Sequence, residues 1–242
     1  MHIARILRRA GAEIDAADVP PIGEVWARVS DYCCRITMHA TFVEKHLEEF
    51  DCGRVQWYGE GGLHELYDLI DEGKVVGTVK LQNFLRITSE STGKDVPIGV
   101  TLFLKPLGYR VVPLLREFRD FLMDVLVALH SMHVNGWVHR DIKRSNVVKL
   151  PNEHWILIDL EYGARLDETG SADWPWFDCD DYPMPKRNGD ERWRPEHDVK
   201  QVAIMLEGLD SFKQHPQRSQ ILNILQTSST ANVVDQLVPL LD

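Results

Sequence analysis

Hydrophobic and polar positions follow two different periods along this chain. Over roughly its first hundred residues, apolar side chains come in short runs rich in Val, Ile, Phe and Thr, at 24–29, 32–37, 74–87 and 98–104, punctuated by Gly and Pro. Such runs predict β-strands. Between them, residues 39–50 and 63–70 read as helices. The period then lengthens: Phe118, Phe121, Leu122, Val125, Leu126 and Leu129 fall at i, i+3, i+4, i+7, i+8 and i+11, which predicts a helix over 115–132 with one face in a core. Asn135-Gly136 ends that helix with turn chemistry, and two short strands at 147–150 and 155–158 enclose the turn Pro151-Asn152. A further helix is expected from His197 through Leu206, with Asp198 as a residue suited to its N-terminus.

Composition narrows the picture. With 44% hydrophobic and 26% charged residues in 242, the chain is of the soluble globular kind. No stretch approaches the roughly 20 apolar residues of a membrane span, and Arg5, Arg8 and Arg9 at helical spacing argue against a secretory leader. The net charge of -10, with no basic stripe, speaks against nucleic acid as a partner. Four cysteines without zinc spacing are too few for a disulfide scaffold and fit free thiols in a reducing compartment. The expectation is an intracellular protein, cytoplasmic or nuclear, with neither membrane nor nucleic acid as partner.

The chemistry concentrates in one stretch, His139-Arg140-Asp141-Ile142-Lys143-Arg144-Ser145-Asn146, followed by the short hairpin and Asp159-Leu160-Glu161. A lone Asp141 or Asn146 would read as a turn residue. If Asp141, Asn146 and Asp159 met in one cleft, two acids and an amide so clustered would be costly unless a cation offset them. Carboxylate and amide oxygens suit Mg²⁺.

This stretch resembles the H-R-D-x-x-x-x-N catalytic loop of protein kinases, and Asp159 stands where that superfamily carries D-F-G. The resemblance implies an α+β, two-lobed protein kinase-like fold: a small β-rich N-lobe over 1–108 including the hinge, and an abbreviated, mostly helical C-lobe over 109–242. It implies ATP- and Mg²⁺-dependent phosphoryl transfer to serine or threonine of a protein substrate, with Mn²⁺ able to stand in for Mg²⁺. Asp141 takes the part of the catalytic base, Lys143 that of the lysine near the transferring phosphate, and Asn146 and Asp159 those of the metal ligands. His139, Arg140 and Asp198 take structural or regulatory parts: a residue packed under the loop, a partner for an activation-segment anion, and a brace behind the loop. Around the nucleotide, Leu104 and Pro106 would belong to the hinge, Val148 would lie under the adenine, and Arg35, on a third strand, would hold the place of the phosphate-pairing lysine with Glu44 or Glu48 of the following helix as its partner.

Several features depart from the family. Asp18 and Pro20 occupy the places of the first two glycines of the Gly-rich loop, before Gly23; Arg35 replaces a lysine; Glu161 replaces a glycine; and only 34 residues, 209–242, remain for the rest of the C-lobe. This shortened pattern is similar to kinase-like domains of fungi and oomycetes. The departures point to low or partner-dependent activity, the alternative being a pseudokinase that acts as a binding, scaffold or regulatory module. The segment 167–198, with ten acids and four bases among aromatic residues, points to a basic protein or peptide as partner.

Overall fold

The computed structural model describes residues 23–29, 32–48, 62–89, 96–166, 193–228 and 230–241. The architecture is α+β: a five-stranded antiparallel sheet, two small two-stranded sheets and six helices among the described residues. The chain divides into two compact units, one made of Met1–Arg54 with Val79–Leu107, the other of Val55–Thr78 with Gly108–Asp242. The segment 55–78, expected with the N-terminal part, therefore belongs to the second unit.

In the first unit the strands are β1 (Gly23–Val29), β2 (Tyr32–Met38), β3 (Val43–Glu48), β4 (Lys80–Ser89) and β5 (Val96–Lys105), in the order β1-β2-β3-β5-β4. The helix expected over 39–50 is not formed. This stretch is β3, because Val43, Lys45 and Leu47 alternate with Glu44 and His46 at a period of two, and a strand lets each set face its own side. Val43, Lys45 and Leu47 lie opposite Leu104, Leu102 and Val100 of β5, while His46 lies opposite Thr101 and bonds its hydroxyl at 3.0 Å. The loop before β3 is held by Phe42, whose ring stacks on His39 at 4.1 Å between centroids, and by a His39–Glu44 contact of 2.9 Å.

The second unit is built around α2 (Phe118–Val134), entered through a 3₁₀ turn at Leu115–Glu117. Its stripe of Phe118, Phe121, Leu122, Val125, Leu126 and Leu129 is fully buried. Against it pack α3 (Pro195–Glu207), α4 (Asp210–Lys213), α5 (Arg218–Thr227) and α6 (Thr230–Leu241), which supply Val199, Val202, Leu206, Phe212, Ile221, Leu225, Val233 and Leu237 to the same core. Phe118 stacks on Phe212 at 5.1 Å. The hairpin of β7 (Val147–Lys149) and β8 (Trp155–Leu157) is anchored to α2 twice: the Trp155 ring meets Phe121 edge-on at 5.0 Å, and the Trp155 backbone N–H donates to Asp124 at 2.8 Å.

The helix α1 (Leu63–Asp71) and the chain after it are stitched to α2. Ser131 exchanges hydrogen bonds with the backbone of Val76, Asn135 donates to the carbonyl of Lys74 at 3.0 Å, and Leu157 N–H donates to Gly77 O at 2.9 Å. Gly77 has φ +70°, and a Cβ there would stand 2.8 Å from that of Ala128, so the crossing requires glycine for both backbone and space. Among the described residues no helix is long and apolar enough to cross a membrane.

Since Phe121 touches both the helical core and the hairpin that carries the site, Phe121→Ala is expected to cost about 3–5 kcal/mol. The measure is a fall in the urea midpoint at constant denaturant slope; a loss under about 1 kcal/mol would contradict this packing.

Candidate functional site

The loop from His139 to Asn146 runs between β6 (Trp137–Val138) and β7 and contains no regular strand or helix longer than the 3₁₀ turn Arg144–Asn146. Its shape is therefore imposed from outside. The main agent is Asp198, fully buried in the first turn of α3. One oxygen accepts the backbone N–H of Arg140 and the indole N–H of Trp193, both at 2.9 Å; the other accepts the backbone N–H of His139 and meets His133 Nε2, both at 2.8 Å. One turn on, Gln201 donates to the carbonyl of Arg140 at 2.8 Å and accepts the N–H of Ile142 at 2.9 Å. Two side chains spaced i, i+3 on one helix thus fix four backbone groups of the loop.

That grip sustains an unfavourable backbone. Arg140 has φ 69°, a left-handed conformation that costs a non-glycine residue on the order of 1–2 kcal/mol. Its side chain is tied as well, Nε donating to the carbonyl of Tyr162 at 2.6 Å. His139 is fully buried and meets the carbonyl of Ile158 at 3.2 Å.

On this frame the reactive groups gather. Asp141 Oδ2 accepts from Lys143 Nζ at 2.7 Å and from Asn146 Nδ2 at 2.8 Å, and the same amide nitrogen also donates to the Asp141 carbonyl at 2.9 Å. Asn146 is 1% exposed and Asp141 6%, while Lys143 is half-buried. The register of the hairpin, in which Val147 faces Leu157 and Ile158 N–H donates to Asn146 O at 2.9 Å, brings Asp159 to the same end as Asn146. Asp159 too is left-handed, with φ 62° and ψ 54°, and caps the 3₁₀ turn Leu160–Tyr162. Gly163 follows; a Cβ there would stand 2.9 Å from Leu160 O and 3.3 Å from Leu66 of α1, so this glycine supplies room and not the unusual dihedrals its type permits. Val148, 5% exposed, lies on β7.

Arg35, Leu104 and Pro106 belong to the first unit. Leu104 is buried on β5, and Pro106 follows it in the open. Arg35 requires a correction: it lies half-exposed in the middle of the second strand, between Trp26 of β1 and His46 of β3, and Glu44 and Glu48 lie on a strand and not on a helix. The third strand instead carries Lys45, 7% exposed between Ile36 and Leu102. A lysine held so far from water is unusual. The missed signal was Phe42-Val43-Glu44-Lys45, an alternating run ending in lysine, hidden by the acids around it. His133 and Gln201 were missed as well; no local pattern betrays a side chain whose partners lie 59 to 65 positions away. The degenerate Gly-rich loop at Asp18 and Pro20, and residues 167–192 of the acidic segment, lie outside the described residues.

Among the described residues no group of three or more His, Cys, Asp or Glu side chains is arranged to hold a metal. A cation here would depend on Asn146 and Asp159 together with oxygens from a bound phosphate and water, which is the usual condition for Mg²⁺. The amide fits that part, since its nitrogen is committed to Asp141 and its Oδ1, which accepts only a long bond from the Ser145 hydroxyl at 3.4 Å, keeps acceptor capacity.

No known protein-family model matches the chain. It is similar to Crinkler effector protein 8 of Phytophthora infestans, 46% identical over 66 residues, which are 26% of this chain and 11% of that protein. It is also similar to the serine/threonine-protein kinase MRCK gamma of Homo sapiens, 39% over 64 residues, and to the human Citron Rho-interacting kinase, 35% over 49. These matches span 26% and 20% of this chain but only 4% and 2% of the two kinases, so they mark a short kinase-related region.

Burial pushes the Asp198 carboxyl up, but the hydrogen bonds and charge of His133, with the His139 N–H, hold it below the usual carboxylate range. Its stabilisation is therefore fully present above about pH 4 and is lost as pH falls through the lower folded value. Asp198→Ala is expected to cost about 3–5 kcal/mol near neutrality, and the gap to wild type should narrow in acid. Denaturant melts across that range check it; a gap unchanged down to about pH 3 would contradict the assignment.

Proposed function

We propose that this protein is a kinase-like enzyme that transfers the γ-phosphoryl group of ATP to a serine or threonine hydroxyl of a protein substrate, with activity that is low or depends on an activating partner. The observation that carries this is the clasp on Asp141: one carboxylate oxygen shared by Lys143 and Asn146, on a loop pinned from behind by Asp198 and Gln201. In such a transfer the P–O bond to the leaving ADP breaks as a new P–O bond forms to the acceptor oxygen, and the protein's task is positioning and charge. Asp141 orients the acceptor hydroxyl and receives its proton. The Lys143 ammonium, already beside that carboxylate, offsets charge on the phosphoryl oxygens. Asn146 and Asp159 would hold Mg²⁺, or Mn²⁺, which when bound would offset charge on the phosphates. In the first unit Lys45 is the buried third-strand lysine, a position that resembles the phosphate-pairing lysine of protein kinases, and its ammonium is a compact point charge where Arg35 would offer a planar guanidinium. Val148 is offered to the adenine, and Arg140 and His139 keep supporting roles. The short similarity to two protein kinases agrees with this reading.

A second reading, a pseudokinase serving as a binding or scaffold module, has one observation of its own: Glu161, 5% exposed, stands where the family has glycine.

Metal-dependent nucleotide binding separates the two. Wild type should melt higher with ATP and Mg²⁺ than with ATP alone, and Asp159→Asn should lose that difference. In a radiolabelled phosphate-transfer assay Asp141→Asn should lower turnover at least about 10²-fold while keeping the thermal shift, and Lys45→Met should weaken both. Absence of any shift at millimolar nucleotide would overturn the enzymatic reading for this chain.

A further inference from the structure

Beside the clasp on Asp141 lie two arginines whose charges the described chain does not answer. Arg144 follows Lys143 and opens the 3₁₀ turn of the loop. Its Nη1 donates to the carbonyl of Val147 at 2.8 Å, and its Nε is buried with no hydrogen-bond partner. Tyr109 and Lys149 exchange both backbone hydrogen bonds, at 2.7 and 2.9 Å, which lays the segment containing Arg110 alongside β7. Burial first, and then the positive charge of Arg110, lower the pKa of Arg144, so the two guanidiniums lie within each other's field.

Two like charges at close quarters invite a counter-ion. Among the described residues no carboxylate bonds either arginine. The nearby acids are already committed: Glu117 to the Leu114 N–H and to Lys149, Glu153 to Lys149, and Asp141 to Lys143 and Asn146. In a chain of net charge -10 this is a local positive spot, and Arg144 lies on the same loop as Asp141, three residues after it. The segment that carries Arg110 continues in exposed Val111, Val112, Leu114 and Leu115, which offers an apolar strip to an extended chain.

We propose that Arg110 and Arg144 together recognise an acidic side chain next to the acceptor residue, so that the substrate of this site is an acidic protein segment. This rests on the phosphoryl-transfer reading and names its substrate class. It reverses the expectation of a basic partner, which rested on the acidic segment 167–198. A planar guanidinium fork matches a carboxylate in two parallel hydrogen bonds, and it matches the phosphate of a phosphorylated residue by the same chemistry.

The test is fluorescence anisotropy of labelled peptides, each with one serine flanked by glutamate, alanine, lysine or phosphoserine, paired with phosphate transfer to the same peptides. The glutamate peptide should bind about tenfold tighter than its alanine version, with a preference that shrinks as salt rises. Arg110→Glu and Arg144→Glu should each erase the preference, and Arg144→Lys should keep part of it. If Arg144→Glu fails to fold by circular dichroism, Arg110→Glu decides, since Arg110 is exposed. Equal binding of the glutamate and alanine peptides, or a preference unchanged in both reversals, overturns the proposal. Transfer to alanine or lysine peptides without acidic preference would overturn it and leave phosphoryl transfer standing. Acidic preference with no transfer to any peptide would keep the arginine pair and remove the enzymatic reading. Tighter binding of the phosphoserine peptide than of the glutamate one would identify phosphate as the recognised anion, and the reverse would identify carboxylate.

Discussion

One fully buried carboxylate organises the second unit. Moving an ion such as Asp198 out of water costs several kcal/mol, and the cost is offset only if each oxygen finds donors in good geometry. All four donors that it finds lie outside its own helix: the end of α2, the loop after β6, and the indole that leads into α3. The requirement is mutual. The carboxylate is tolerable only with the loop in place, and the loop holds a left-handed Arg140 only with the carboxylate in place. A polar network satisfied at every member specifies one arrangement, whereas apolar packing of similar strength would admit several.

The rest of the unit can be understood as support for that arrangement. α2 presents its apolar stripe to α3 through α6, while its last turn supplies His133 to the network and its middle supplies Asp124 to the hairpin. One helix therefore sets the height of the loop and the register of the strands that deliver Asn146 and Asp159. This is how Asn146 and Asp159 come to the same end of the hairpin without a long loop between them.

Some of this was legible in the chain and some was not. The stripe of α2, the hairpin and the eight-residue loop were readable because each is a local pattern: a period, a turn dipeptide, a fixed spacing. The stretch 39–50 was not, because Glu44 and His46 face away from the apolar row and their charge resembles a helix surface when the partner strand, more than fifty residues on, is unknown. The same ignorance of partners moved the buried lysine from Lys45 to Arg35 and concealed Gln201. That Asp141 and Asn146 come together could be suspected from spacing, but the hydrogen bond they share belongs to the folded chain alone.

The placement of α1 constrains how this protein can be divided. The chain passes between its two units three times, at 54/55, 78/79 and 107/108. No single cut therefore releases the second unit whole. A fragment beginning at Gly108 would lack the strand-like crossing at Gly77 and Thr78 that covers Ala128 and pairs with Leu157, and would lack Leu66 beside the turn after Asp159. The unit that carries the loop 139–146 can be produced intact only with the segment 55–78 supplied, either in its natural place or rejoined through a new connection.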